Sequence, residues 1–184
     1  MITALLLIDV QESFRHRPYF QVAPTMTFLD RINALLEACV ARGVPVVRVL
    51  HVEPGPASDP FSLASGHVRP MEGLRGFAPA AEFHKSRHSA LVGSGLSVWL
   101  RQRRIQRLIV AGIRTEQCCE TTTRHASDEG FEVDFVPEAT LTFDMTYGDG
   151  RPLPAAEVVA RTVAVLKGRF ATICSPEEAL ARAT

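Results

Sequence analysis

Continuous aliphatic runs that alternate with helical patterns are the feature that most constrains the fold of this chain. Four runs are long enough to be strands, at Thr3–Val10, Val44–Val52, Leu108–Ile113 and Phe131–Val136. Uninterrupted apolar runs are typical of parallel strands that are buried on both faces. Two shorter strands are predicted at Glu82–Ala90 and Phe170–Cys174.

Helical periodicity follows most of these strands. Apolar residues recur at helical spacing in segments 24–42, 96–104, 115–129 and 154–167, and a short helical tail ends the sequence. Strands that alternate with helices form a parallel sheet with helices on both faces. The chain is therefore predicted to be a single α/β domain over residues 1–184. Its fold should be three-layer α/β/α, with a mostly parallel, Rossmann-like sheet of about six strands.

Size, charge and cysteine content exclude several classes of protein. A chain of 184 residues with zero formal net charge and dispersed basic residues is an ordinary globular protein, so neither nucleic acid nor a membrane is expected as a partner. The first apolar run has no basic segment before it and is interrupted by Asp9, so it is a buried strand and not a signal peptide. Four cysteines without the spacing of a disulfide framework fit a reducing cytoplasm.

The stretch Val110–Glu120 places a cysteine where an anion would be stabilised. It follows the strand at 108–113 and opens the helix predicted at 115–129, so Cys118 lies in the first turn of that helix. Unpaired backbone N–H groups and the positive end of the helix dipole favour a thiolate there, which is the reactive form of cysteine. Cys118 is therefore a candidate nucleophile. A buried, inert thiol is the alternative.

Asp9 and Lys85 lie at or near the carboxyl ends of two other predicted strands. In an open parallel sheet, ligands bind beyond these ends, at the point where the strand order reverses. Both side chains are therefore expected to meet Cys118 in one crevice. A cysteine that attacks a carbonyl needs a base to take its proton and a cation to lower its pKa. Asp9 can serve as the base and Lys85 as the cation.

Other assignments stay open at this point. Histidine is the usual base beside a nucleophilic cysteine, but His125 is seven residues further along the same helix, about 10 Å from the cysteine. His84 and His88 are alternative bases. Asp9 could instead cap a turn at the end of its strand, and Lys85 could be a solvated surface lysine.

Three segments occur in a characteristic order. They are Leu7-Ile-Asp-Val-Gln-Glu-Ser-Phe14, Lys85-Ser-Arg-His-Ser-Ala-Leu91, and Val110-Ala-Gly-Ile-Arg-Thr-Glu-Gln-Cys118 followed by Thr121 and Thr122. Together they resemble the isochorismatase-like cysteine hydrolases, the superfamily of nicotinamidase and N-carbamoylsarcosine amidohydrolase. The resemblance extends from about residue 3 to residue 140 and does not specify the substrate.

The resemblance implies a catalytic triad of Asp9, Lys85 and Cys118, which would form a thioester acyl-enzyme on an amide and release ammonia or an amine. It also implies a cis peptide bond between Ile113 and Arg114. The backbone N–H groups of Arg114 and Cys118 would then form an oxyanion hole, in which each donor contributes roughly 3 kcal/mol.

The resemblance also bears on the substrate pocket and on metal binding. Phe14, an aromatic residue just past the aspartate, is expected to form a wall of the pocket, although it could instead belong to the core. Metal-binding nicotinamidases carry an Asp-x-His pair just after the second strand. The corresponding segment here, Val49-Leu-His-Val-Glu53, lacks that aspartate. No metal and no other cofactor is therefore expected.

The leading hypothesis is a cytoplasmic, metal-independent cysteine hydrolase that cleaves a C–N bond of a small amide, ureido or carbamoyl compound. A homo-oligomer is expected, since the family commonly forms dimers or tetramers, and the Pro-, Gly- and Ser-rich segment 53–80 should cover the site or form an interface. Two alternatives remain. One is an isochorismatase-type vinyl-ether hydrolase with Asp9 as general acid, and the other is a non-enzymatic thiol sensor that uses the Cys118–Cys119 pair.

Overall fold

One parallel sheet of six strands forms the centre of the computed structural model, which describes residues 1–183. Thr184, the last residue of the predicted domain, lies outside the described residues. The strands of this sheet are β1 (Thr3–Ile8), β2 (Val46–His51), β3 (Ala81–Lys85), β4 (Arg107–Ile113), β5 (Glu132–Leu141) and β8 (Thr172–Ile173). Their order is β3-β2-β1-β4-β5-β8, and every neighbouring pair is parallel. A separate antiparallel pair is formed by β6 (Met145–Thr146) and β7 (Pro152–Leu153).

Over residues 1–183, five α-helices cover the two faces of the sheet. They are α1 (Val22–Ala41), α2 (Leu96–Gln102), α3 (Glu120–Asp128), α4 (Ala155–Leu166) and α5 (Pro176–Arg182). Within residues 1–183, no helix combines the length and the apolar composition needed to cross a membrane.

Each face of the sheet has its own hydrophobic core because successive side chains of a strand point to opposite sides. Leu5 and Leu7 of β1 belong to the core that also contains buried residues of α1 and α5. Leu6 and Ile8 belong to the core that contains buried residues of α2, α3 and α4. The predicted three-layer α/β/α fold with a mostly parallel, six-stranded sheet is therefore confirmed.

Several element bounds differ from the sequence prediction. Residues 11–23, between the predicted strand at 3–10 and the predicted helix at 24–42, contain a 3₁₀ turn, Glu12–His16, and the first two residues of α1. Strand β5 continues to Leu141 instead of ending at 136, because its pairing with β4 shifts register beyond Val110. Pro137 falls within this irregularity, where a strand can accommodate a residue that has no N–H donor. The segment predicted as one helix from 115 begins with a π-helical turn, Thr115–Cys119, before α3.

The strand order reverses between β1 and β4, and a glycine permits the two strands to approach closely there. The chain proceeds from β1 outward through β2 to β3, then returns to the other side of β1 as β4. At the carboxyl ends of the pair, Ile8 lies opposite Gly112. Gly112 has φ of 135°, and a Cβ added there would lie 2.0 Å from the Ile8 carbonyl oxygen. Only glycine fits this position without displacing the strand that leads into Asp9.

Replacing Gly112 with alanine should therefore destabilise the protein. We expect Gly112→Ala to lower the free energy of unfolding by at least about 2 kcal/mol, measured by urea denaturation followed by circular dichroism. Gly76→Ala is the matched control, since a Cβ at Gly76 meets no atom within 4 Å, and its effect should stay within about 0.5 kcal/mol. A Gly112→Ala protein as stable as the wild type would contradict the close approach of the two strands.

Candidate active site

The amino group of Lys85 is the meeting point of side chains from four strand ends. Lys85 is the last residue of β3, and its Nζ lies 2.7 Å from Asp9 Oδ2, 2.8 Å from His51 Nδ1 and 3.3 Å from Cys118 Sγ. Asp9 follows β1, His51 ends β2, and Cys118 lies beyond β4. The three residues predicted to converge on one crevice are therefore brought together.

Burial makes the charge on Lys85 dependent on its partners. The side chains of Lys85 and Asp9 have no exposed surface. Burial lowers the pKa of Lys85, but the negative charge of Asp9 and the contact with Cys118 outweigh burial, so the pKa lies above its ordinary value. The Lys85 side chain is therefore an ammonium ion that has only hydrogen-bond donors to offer.

Asp9 adopts a backbone conformation that is rare for a residue with a side chain. Its φ is 54°, in the left-handed region, and its N–H donates to the carbonyl oxygen of Val49 at 2.8 Å. The carboxylate thereby turns from the end of β1 toward Lys85. The second carboxylate oxygen, Oδ1, has no hydrogen-bond partner among the described residues. A proton acceptor is thus available beside the thiol.

His51 is a site residue that the sequence prediction missed. It lies opposite Lys85 in the pairing of β2 with β3, and its Nε2 contacts Glu53 Oε1 at 2.5 Å. The Gln11 side chain holds the His51 backbone at both polar groups, since Oε1 accepts from His51 N–H at 2.7 Å and Nε2 donates to His51 O at 3.0 Å. The sequence signal that could have identified His51 is its position at the end of β2, the strand between those that lead to Asp9 and Lys85.

Burial at Cys118 opposes the thiolate that the helix terminus is expected to favour. Cys118 lies in the π-helical turn before α3, and 7% of its surface is exposed. Burial raises the pKa of Cys118, the charge of Asp9 raises it further, and the charge of Lys85 lowers it only in part. The net pKa lies above the ordinary value because desolvation outweighs the favourable cation. A base must therefore take the proton before Cys118 can act as a nucleophile.

The peptide bond between Ile113 and Arg114 is cis, as predicted. The Arg114 N–H makes no hydrogen bond within residues 1–183. The Arg114 side chain is held away from this group, since Nη2 pairs with Glu116 Oε1 at 3.0 Å and the guanidinium lies over the Tyr19 ring at 5.2 Å. The oxyanion hole of Arg114 and Cys118 N–H groups stays a prediction.

A cavity of about 350 Å³ opens onto the thiol and the carboxylate. Phe14, predicted as a pocket wall, lies in this lining and also packs edge-on against Phe61 with ring centroids 5.0 Å apart. Phe61 belongs to the segment 53–80, so that segment does contribute to covering the site. The other lining residues are Asp9, Arg17, Pro18, Tyr19, His51, Glu53, His88, Gln117 and Cys118.

Among the hydrogen bonds of residues 1–183, none joins an alternative base to the Cys118 thiol. His125 Nδ1 pairs with Ser89 Oγ at 2.9 Å, and His84 lies 3.8 Å from Glu82 with 47% of its side chain exposed. His88 lines the cavity but is exposed. Cys119, which belongs to the core on the α3 face, has no exposed surface, and burial raises its pKa well above the ordinary value.

Asp9, His51 and Cys118 present atoms of the types that metal ions bind, all within 4.8 Å of one another. The same side chains surround the Lys85 ammonium, which already supplies a positive charge among them. A metal ion at this position would have to displace Lys85. The donor set therefore fits the lysine better than a metal.

Comparison with known proteins places this chain in a family. A family model described as an isochorismatase domain matches residues 3–163. An uncharacterized isochorismatase family protein of Bacillus subtilis, YrdC, is 25% identical over 95% of this chain and 92% of its own length. Nicotinamidase 3 of Arabidopsis thaliana is 28% identical over 78% of this chain and 75% of its own. The crystal structure of an isochorismatase from Pseudomonas putida superposes with a TM-score of 0.82, at 26% identity, over 95% of this chain and 88% of that one.

Alkylation should report the raised pKa of Cys118. The rate of modification by iodoacetamide, followed by mass spectrometry of Cys118 peptides, should rise about tenfold per pH unit from about pH 6 to about pH 9, because the thiolate fraction grows steadily below the pKa. Cys118 should react before Cys39, because Cys118 lines the cavity whereas Cys39 has no exposed surface. A rate that levels off near neutral pH would show that the resting residue is a thiolate.

Proposed function

We propose that this chain, which belongs to the isochorismatase family, cleaves a C–N bond of a small amide, ureido or carbamoyl compound with Cys118 as nucleophile. Members of this family are hydrolases, and the chain is an isochorismatase-family hydrolase. The observation that supports the finer proposal is the contact of the Lys85 ammonium with both Asp9 and Cys118 beside a cavity.

In the first half of the proposed reaction, Asp9 takes the proton of the Cys118 thiol. The sulfur then forms a bond with the carbonyl carbon of the substrate, and the carbonyl oxygen becomes an oxyanion. The N–H groups of Arg114 and Cys118 would stabilise that charge by roughly 3 kcal/mol each. The C–N bond breaks as Asp9 returns the proton to the departing nitrogen, which leaves ammonia or an amine and a thioester on Cys118.

In the second half, water replaces the amine. Asp9 removes a proton from the water, and the oxygen attacks the thioester carbonyl. The C–S bond breaks, the sulfur regains the proton from Asp9, and the acid is released. The same carboxylate thus acts alternately as base and acid, which requires that it remain within reach of both the sulfur and the leaving group.

The role proposed for Lys85 follows from the change of charge during this cycle. While Asp9 is protonated, the negative charge lies on the sulfur or on the oxyanion instead. An ammonium in contact with both Asp9 and Cys118 stabilises the charge at either position, so the proton transfer does not leave an unpaired buried anion. Without such a cation, formation of a buried thiolate would be strongly unfavourable.

The cavity limits the size of the proposed substrate. A volume of about 350 Å³ lies at the lower end of the range for small-molecule sites. Its aromatic walls, Phe14, Tyr19 and Phe61, favour a compact substrate with a planar or apolar part. Cytoplasmic location and a dimeric or tetrameric assembly stay predictions.

The cysteine pair separates this proposal from the thiol-sensor alternative. Cys118→Ala should reduce ammonia release by more than about 10³-fold, in a screen of small amides, ureas and carbamoyl compounds. Cys119→Ala should retain activity within about threefold, because Cys119 belongs to the core and alanine is only slightly smaller than cysteine. Thermal denaturation of both variants controls for folding.

Two results would contradict the proposal. Ammonia release that survives in Cys118→Ala would exclude the cysteine mechanism, and equal loss in both variants with intact melting temperatures would favour a function that needs the pair.

A further inference from the structure

We propose that His51 and Glu53 form a positioning pair that holds the Lys85 ammonium between Asp9 and Cys118. The inference deepens the proposed function and rests on it, since it assigns a role to two residues around the proposed triad. It rests on two consecutive contacts that lead from the buried ammonium toward solvent, Lys85–His51 and His51–Glu53, and on the rigid placement of His51.

The first contact fixes the orientation of the histidine ring. The Lys85 ammonium can only donate hydrogen bonds, so His51 Nδ1, 2.8 Å away, must be the acceptor. A neutral imidazole then carries its proton on Nε2. That nitrogen lies 2.5 Å from Glu53 Oε1, which accepts. The tautomer of His51 is therefore set by a cation on one side and a carboxylate on the other.

Each of the three protons of the Lys85 ammonium has an acceptor. Lys85 Nζ has three neighbours at hydrogen-bonding distance, Asp9, Cys118 and His51. Each N–H can be assigned to one of them, so no donor of this buried cation remains unpaired. If His51 were absent, the flexible lysine side chain would lose one of the three restraints on the position of Nζ.

His51 is itself held rigidly. Its backbone is held by both polar groups of the fully buried Gln11 side chain, and Val52 N–H donates to the Lys85 carbonyl oxygen at 2.8 Å. The side chain of His51 is 12% exposed and that of Glu53 is 43% exposed. The pair thus connects the buried triad to the wall of the cavity, where Glu53 remains accessible to water.

This arrangement predicts an effect on the thiol as well as on turnover. The charge of Lys85 lowers the pKa of Cys118, in opposition to burial and Asp9. A lysine that is less well held stabilises the thiolate less, so the alkylation rate of Cys118 at a given pH should fall. A purely structural role for His51 would alter melting temperature without moving the pH dependence of that reaction.

The test uses iodoacetamide as the probe, because it needs no knowledge of the substrate. His51→Leu removes the acceptor, and it should slow alkylation of Cys118 at about pH 8 roughly tenfold, equivalent to a rise of about one unit in the pKa. His51→Asn places an amide oxygen at the position of Nδ1, and it should restore most of the rate. Glu53→Gln should shift the profile in the same direction by a smaller factor.

The matched control is His84→Leu, which removes a histidine from β3 next to Lys85, where the side chain is 47% exposed and lies 3.8 Å from Glu82. Its alkylation profile should equal that of the wild type. An unchanged profile in both His51→Leu and Glu53→Gln, or no recovery in a folded His51→Asn, would overturn the positioning role. If His51→Leu does not fold, the more exposed Glu53→Gln decides the matter alone.

Ammonia release by the same variants distinguishes the two proposals. Loss of turnover in His51→Leu by about 10²-fold, with KM little changed and alkylation slowed, supports positioning of the reacting groups. Loss of turnover with normal alkylation would show that His51 acts directly on the substrate and would overturn the inference. Activity that survives Cys118→Ala would overturn the proposed function while leaving the alkylation result intact.

Discussion

The buried ammonium of Lys85 is the interaction on which the rest of the site depends. Its neighbours Asp9, His51 and Cys118 come from other strand ends, and each has an atom within 3.3 Å of Lys85 Nζ. Removing one member of a buried ion pair typically costs about 3–5 kcal/mol, because the remaining charge is left uncompensated. The carboxylate, the thiol and the cation therefore form one electrostatic unit, in which a change at any member alters the others.

The fold supplies this unit through strand order. Because β2 separates β1 from β3, Lys85 must reach past the end of β2 to contact Asp9, and His51 occupies the intervening strand end. On the other side of β1, the close approach at Gly112 brings the turn that contains Cys118 to the same point. The switch of strand order between β1 and β4 thus places nucleophile and carboxylate on adjacent elements, as is general for open α/β sheets.

Much of this arrangement could be predicted from the sequence, and the failures have physical causes. Long apolar runs identify buried strands, and polar residues at their carboxyl ends identify the site, which is how Asp9 and Lys85 were found. His51 was missed because its role depends on two neighbours distant in sequence, and no local pattern records that. The helix-terminus argument for a thiolate at Cys118 omits desolvation, and here burial and the charge of Asp9 raise the pKa of Cys118 above its ordinary value in spite of Lys85. The π-helical turn was predicted as α-helix because a turn of five residues, Thr115–Cys119, is too short for hydrophobic periodicity to distinguish the two.

The cysteine mechanism is tested most directly by mass spectrometry of the protein quenched in acid during turnover of a slowly hydrolysed amide. The expected result is a mass increase equal to the acyl part of the substrate, located by peptide mapping on Cys118 and absent from Cys119. An acyl group on another residue, or complete turnover with Cys118 unmodified at every quench time, would contradict the cysteine mechanism.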